Sequence, residues 1–296
     1  MHMHDTIDQF RAAMRDAGQS PPDVIEADGQ LHRYRVEGDK AGSKNAYYVL
    51  HLDGRAAGMF GNWKTGLRST WAADGKRMSE AEREAFAKLI EAAKLKAQAE
   101  RRAEHEARAI EARGEWAAAA PADPAHPYLT RKDVKPHNLR QRGGLLIVPL
   151  FDAFGLLWNL QRIAADGGKR FKPGRAGGLF SPIGDLTDPA TILICEGWAT
   201  GATLHQETGH PALCAMNAGN LQAVAKAARE SWRGWTDLVI CADNDRQTEG
   251  NPGVTYATAA AKATGAKLIV PQFPEGVPGS DFNDLAAIRR KRARHE

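Results

Sequence analysis

Two stretches decide the fold: Thr191-Ile192-Leu193-Ile194-Cys195-Glu196-Gly197, and Asp237-Leu238-Val239-Ile240-Cys241-Ala242-Asp243-Asn244-Asp245. Each is a short apolar run that ends in acidic residues. An apolar run without alternation reads as a strand covered on both faces. Between and after these runs the texture alternates. Strands are expected at 191–195, 212–216, 237–242 and 267–270, with helices at 200–207, 221–232 and 253–264. Alternating short strands and helices predict a mostly parallel sheet with helices on both faces. In such sheets the chemistry lies beyond the C-terminal ends of the strands.

The acids sit at those ends. Glu196 follows the first strand, Asp243 and Asp245 follow the third, and a Gly/Pro-rich loop after the fourth brings Gly279-Ser280-Asp281-Phe282-Asn283-Asp284. Clustered carboxylates repel one another unless a cation lies among them. Carboxylate oxygens suit hard Mg²⁺ or Mn²⁺, with waters and substrate phosphates completing the shell. Alternate residues of an extended D-x-D segment point the same way. Gly197 leaves room for a phosphate to approach the backbone. The bland reading makes these acids helix caps or solvated loop residues. That reading suits Asp284 alone better than it suits Glu196, Asp243 and Asp245 together.

Upstream, residues 131–175 hold ten Lys/Arg against three Asp, a local charge of +7 beside +4 for the whole chain. Basic patches attract nucleotides and phosphate backbones. Here the charges interleave with strand-like runs, Leu145 to Leu150 and Leu156 to Ile163, with turns at Phe154-Gly155 and Asp166-Gly167-Gly168 before Lys169-Arg170-Phe171-Lys172. This is read as a basic antiparallel β module. A second basic cluster, Arg289 to Arg294, reads as a frayed helix end.

Residues 79–113 hold eight acids and eight bases and read as one long neutral helix, a spacer or partner-binding element. Ser79 and Glu82 match a capping box. Gly114 is its expected stop, and the Ala/Pro run at 117–124 its expected linker. Before it, a helix at 5–20 and strand signals at 31–36, 46–52 and 55–63, with a tight Asp53-Gly54 turn, make a small β-rich unit. Tyr47, Tyr48, Phe60, Trp63 and Trp71 fit the core of that sheet better than base-stacking platforms. Gly58 to Thr65 is not a phosphate-binding loop, because Trp63 rather than glycine precedes Lys64.

With 296 residues and 43% hydrophobic content the chain is large enough for about two domains. No apolar run has the length of a membrane span. The first residues lack the build of a secretory leader, so a cytoplasmic location is expected. The three cysteines, Cys195, Cys214 and Cys241, form no C-x-x-C pair. They read as buried strand thiols, and neither a disulfide framework nor a zinc ribbon is expected.

The E-G and D-x-D elements on alternating β/α units resemble the Toprim domain of bacterial-type primases, type IA and II topoisomerases, OLD-type nucleases and recombination-repair proteins. Ile147 to Asp152, Gly155, Asn159 to Arg162 and Lys169 to Lys172 resemble the basic β subdomain that precedes Toprim in DnaG-type primases. His126-Pro127-Tyr128-Leu129 and Leu31 to Thr65 resemble the N-terminal regions of phage- and plasmid-borne primases. The resemblance implies an α/β fold with a Toprim-type sheet at 189–296. Before it would come a basic antiparallel β subdomain at 117–188, a long charged helix at 77–116 and a small N-terminal α+β domain at 1–76, which binds nucleic acid or a partner. It implies short RNA primers made on single-stranded DNA from NTPs. Glu196, Asp243 and Asp245 would be catalytic and, with Asp281, would hold Mg²⁺ or Mn²⁺. Arg162, Lys169, Arg170, Lys172 and Gly197 would contact triphosphate or template. It leaves room for a replicative helicase in trans, and implies no zinc and no membrane. The lysine-aromatic pair of the family appears here as Arg170-Phe171, which keeps charge but changes donor geometry. The same acids in a nuclease would cut a phosphodiester, but no P-loop accompanies them as in OLD-type enzymes. A topoisomerase needs a tyrosine in a gate domain, which this length does not allow. A non-catalytic replisome accessory is the remaining alternative.

Overall fold

In the computed structural model, residues 3–52, 55–73, 80–232, 234 and 236–293 are described. The expected Asp53-Gly54 turn and the expected capping box at Ser79 and Glu82 lie outside the described residues, as does Arg294. The chain forms two compact units, Met1–Arg101 and Arg102–Glu296.

In the first unit, α1 (Met3–Asp16) precedes a four-stranded antiparallel sheet of β1 (His32–Tyr34), β2 (Ala46–His51), β3 (Ala57–Asn62) and β4 (Leu67–Ala72), in that order. Both faces of β2 are covered, so its alternate residues serve two cores. Tyr48 and Leu50 join Phe10, Met14 and Phe60 beneath α1. Tyr47 and Val49 join Met59 with Phe86 and Ile90 from the first turns of α2 (Glu80–Ala118). Phe10 sets its ring edge-on to Phe60 and Trp71 at 5.6 and 5.4 Å. The sequence reading missed β4: its residues are half exposed and carry no apolar run. Tyr47, Tyr48 and Phe60 are core residues, and Trp63 is only half buried.

The second unit begins inside α2. The helix does not stop at Gly114 but runs to Ala118. Ala112, Trp116 and Ala119 pack with Ile147, Leu157 and Leu160, and this burial outweighs the modest cost of a helical glycine. Nor is 117–124 a linker. Its middle is an edge strand, β5 (Ala120–Pro121), and Ala119 and Ala122 are buried. Then come α3 (Pro127–Lys132), β6 (Arg140–Arg142), β7 (Leu145–Phe151), β8 (Leu157–Ile163) and β9 (Lys169–Phe171). The strands form an antiparallel sheet in the order β5-β6-β7-β8-β9.

The α/β part follows: β10 (Ser181–Ile183), β11 (Thr191–Cys195), α4 (Trp198–Thr208), β12 (Ala212–Cys214), α5 (Leu221–Ser231), β13 (Asp237–Cys241), α6 (Pro252–Thr264), β14 (Lys267–Ile269) and α7 (Phe282–Ala293). Strand order is β10-β12-β11-β13-β14, parallel except for the edge strand β10. One face packs on α5 and α6. The other buries Trp198 and Ala202 of α4 with Tyr128 and Leu129 of α3 and Val148 of β7, so both sheets share one core. The cysteines are buried in this sheet, with Cys195 and Cys214 sulfurs 3.9 Å apart. Helix α4 crosses them closely: a Cβ on Gly201 would collide with the Cys214 sulfur. The C-terminal basic cluster is not frayed through 293; Arg290 pairs with Asp133 and Glu207. No helix among the described residues is long and apolar enough to cross a membrane.

Removing a fully buried aromatic ring costs about 3–5 kcal/mol. Phe10→Ala is therefore expected to lower the stability of the first unit by that amount. Hydrogen exchange would show protection lost in β2 and β3 and retained in β11 and β13; equal loss in both would contradict two separate cores.

Candidate functional site

Register brings the acids together. Cys195 pairs with Cys214 on one side and with Cys241 on the other, so the strands end level. Glu196 leaves β11 immediately past that line, and Asp243 lies just beyond Cys241 on the β13 side. The loop before α7 reaches the same edge, where the Asn244 N–H donates to the Ser280 carbonyl at 2.6 Å.

The D-x-D segment is shaped by the start of α6. Asn251 adopts a left-handed conformation (φ 39°), and its side-chain oxygen accepts from the Asp245 N–H at 2.9 Å. The Gly253 N–H donates to Asp245 Oδ2 at 3.0 Å. A Cβ on Gly253 would collide with the Asp243 carbonyl and come within 2.9 Å of Asp245 Oδ2. Only glycine lets the helix start this close. Asp281 Oδ1 accepts from the Asp284 N–H at 2.8 Å, so Asp281 also caps α7. Asp284 has a structural role, accepting from the Ser280 N–H and pairing with Lys132 at 3.4 Å.

Charge at this edge is poorly compensated. Asp243 Oδ1 is shut off from solvent and has no hydrogen-bond partner. Burial, then repulsion from Glu196, Asp281 and Asp245, pushes the Asp243 carboxyl up to about 8. Burial and Asp245 raise Glu196 as well. Lys169 is the cation that opposes both shifts, which brings it from β9 into the field of the acids. A divalent cation fits this donor set: an orphaned buried oxygen among mutually repelling carboxylates is what such an ion relieves. The three strand-end acids do not form a closed cage. Among the described residues, the metal-capable trio with ligand atoms all within 4.8 Å is Glu26, Asp28 and His32, an exposed group in which Asp28 and His32 already bond at 2.8 Å. Openness suits Mg²⁺, which keeps waters and takes substrate oxygens.

The basic residues divide. Arg162 makes a two-pronged pair with Glu115 at 2.8 and 2.6 Å, and Lys172 reaches Glu111 and Glu115 at 3.3 and 3.5 Å. The Arg162 guanidinium holds Glu115 below the usual carboxylate range. Arg170 is exposed, stands opposite Arg162 in the ladder, and with it lines a pocket of about 360 Å³. Gly197 caps α4, and a Cβ there would meet only the Thr200 hydroxyl, at 3.5 Å. Sequence reasoning missed Glu115, Asn251 and Gly253, and singled out Tyr128 only within the resemblance of residues 126–129, with no role at this edge. The Tyr128 hydroxyl is buried without a partner, and the Asp281 charge contributes to the upward push on its pKa, to about 12. Of the three missed residues, Asn251 and Gly253 carry a local signal, the helix-start sequence Asn-Pro-Gly at 251–253.

Residues 191–291 match the family model of the Toprim domain. The chain is 40% identical over 261 residues to an Escherichia coli protein named DNA primase TraC, covering 84% of this chain and 24% of that protein. A second Escherichia coli DNA primase TraC is 38% identical over 285 residues, covering 90% of this chain and 19% of the relative. The chain thus spans about a quarter or less of the curated relatives it matches. The primase fragment of the bacteriophage T7 primase-helicase protein is 14% identical, with a TM-score of 0.43 over 59% of this chain and 76% of that one.

Two predictions follow from the acid edge. Between about pH 4, the usual carboxylate range, and about pH 8, Asp243 is protonated when folded and ionised when unfolded. The folded state binds the extra proton, so its contribution to stability is full at low pH and is lost as pH rises through 8. In chelator, Asp243→Asn should melt above the wild type at pH 8, with the difference shrinking toward pH 4; a difference independent of pH would contradict the assignment. Gly253→Ala should cut divalent-cation affinity, read by calorimetry, by about 10–100-fold, because it displaces the loop that aims Asp243 and Asp245.

Proposed function

Because residues 191–291 match the Toprim family model and carry half-buried acids at the strand ends, we propose that this chain is a primase core. It would build short RNA primers on single-stranded DNA from NTPs. The setting is the cytoplasm, in replication of a plasmid, phage or other mobile element, with a separate helicase opening the template. The observation that carries this reading is Asp243: a half-buried carboxylate whose Oδ1 is shut from solvent without a partner, beside Glu196 and Asp245, in a chain 40% identical to a DNA primase over most of its own length.

Glu196, Asp243 and Asp245 are the residues to hold Mg²⁺ or Mn²⁺, with Asp281 beside them. The ion supplies charge neutralisation at the triphosphate and a more acidic 3′-hydroxyl. The chain's own groups do the rest. Burial and mutual repulsion raise the proton affinity of Asp243 and Glu196, and a cation held among them would relieve that repulsion and favour their ionised forms. Lys169 and Arg170 lie on the exposed strand β9 and take phosphate oxygens. The N-terminus of α4, with its open Gly197, offers N–H groups and a positive helix end to a phosphate. Arg162 and Lys172 act mainly through Glu115, holding β8 and β9 against α2, so the direct contacts fall to Lys169 and Arg170.

The test is one reaction: pure protein, mixed single-stranded DNA, labelled NTPs and Mg²⁺ or Mn²⁺, resolved on a denaturing gel beside end-labelled DNA. Short labelled RNA is expected, and Asp243→Ala should reduce it by more than about 100-fold. Primer synthesis that survives this substitution would overturn the assignment. DNA shortened without new RNA would make the chain a nuclease.

A further inference from the structure

A cleft of about 370 Å³ lies wholly within the first unit, between Arg33 and Trp63 of the sheet side and Ala93, Ala97 and Arg101 of α2. Its floor is a stack of three flat groups. Tyr47 lies against Trp63 with centroids 4.5 Å apart and planes at 26°. The Arg33 guanidinium lies over the Trp63 ring at 4.5 Å. Arg33 is held in place by its own bonds: Nε and Nη2 both donate to the Lys44 carbonyl, at 3.2 and 2.7 Å. A π surface topped by an exposed, anchored guanidinium is thus in place before any ligand arrives.

The opposite wall has been cut back. Phe86 and Ile90 fill the space between α2 and the sheet. The same helix face continues with Ala93, three residues past Ile90, and Ala97, four residues past Ala93. Space opens where the stack stands. Lys94 and Arg101 rim it, both exposed, and the acid nearest Lys94 is Glu91 at 4.0 Å. Among the described residues, no acid lines the cleft.

A flat cationic-aromatic platform, a slot and two flanking cations match a nucleobase and its neighbouring phosphates. Bases inside a duplex are not available to such a slot, whereas those of a single strand stack readily on aromatic and guanidinium planes. We propose that this cleft binds single-stranded nucleic acid, one base lying on the Arg33–Trp63 stack and the adjacent phosphates on Lys94 and Arg101. The site uses none of the acids of the Toprim edge, so it stands or falls apart from the catalytic reading.

The test uses the full chain in chelator without NTPs. An oligothymidylate carrying 5-iodouracil is crosslinked by light and mapped by mass spectrometry, and a fluorescein-labelled copy is titrated by anisotropy. The expected crosslink falls on the peptide containing Trp63. Lys94→Glu/Arg101→Glu, at exposed positions, and Ala97→Trp, which fills the slot, should each abolish that crosslink and weaken binding about 10-fold. The double variant should also flatten the salt dependence. Crosslinks confined to residues 102–296, affinity unmoved by both variants, or equal competition by a duplex would each overturn the proposal. A protein that makes no primers yet gives the Trp63 crosslink would retain the cleft and lose the primase.

Discussion

Mutual repulsion at the end of a parallel sheet is the constraint around which the second unit is arranged. Glu196 and Asp243 are brought to one edge by strand register, and the chain offers Asp243 Oδ1 no donor. Such a group is tolerated only because neighbouring backbone fixes it: the Asn251 side chain and the Gly253 N–H hold Asp245, and the Ser280 carbonyl receives the Asn244 N–H. The stability given up here is recovered in the large apolar layers on either face of the sheet, where α5 and α6 on one side and α3, α4 and β7 on the other are shut from water.

The basic module obeys a second rule. Its charges are not all displayed to solvent. Glu115, nearly buried near the end of a 39-residue helix, draws in Arg162 and Lys172 and so fastens β8 and β9 to that helix. Charge-assisted, two-pronged pairing fixes geometry as well as supplying energy. The outcome is a ribbon whose remaining cations, Lys169 and Arg170, project from a braced edge.

Much of this was legible in the chain. The alternation of apolar runs and helices after residue 190 appears as the observed strands and helices with ends displaced by a few residues. The acids at the strand ends could be picked out because each directly follows an apolar run. What escaped notice depended on partners distant in sequence. Gly114 looks like a stop until Trp116 finds Ile147 and Leu157 to pack on. The Ala/Pro run at 117–124 looks like a linker until β6 pairs with it. Arg162 looks like a free cation, and nothing local to either residue announces Glu115, 47 positions away. The strand β4 carries too little apolar signal to stand out, being half exposed. Local propensity yields to tertiary packing in each of these cases.

The closeness of α4 to the sheet has its own consequence. Cysteine at 214 acts there as a spacer of fixed thickness: Gly201 already lies against its sulfur, and the Cys195 sulfur stands 3.9 Å away. Oxygen added to that sulfur has nowhere to go. Oxidative damage at Cys214 is therefore a wedge rather than a change of charge, driven under the first turns of α4. The helix begins at Gly197, next in sequence to Glu196, so a lesion in the dry interior would be felt as misalignment at the acid edge. A reducing environment is for this molecule a condition of shape.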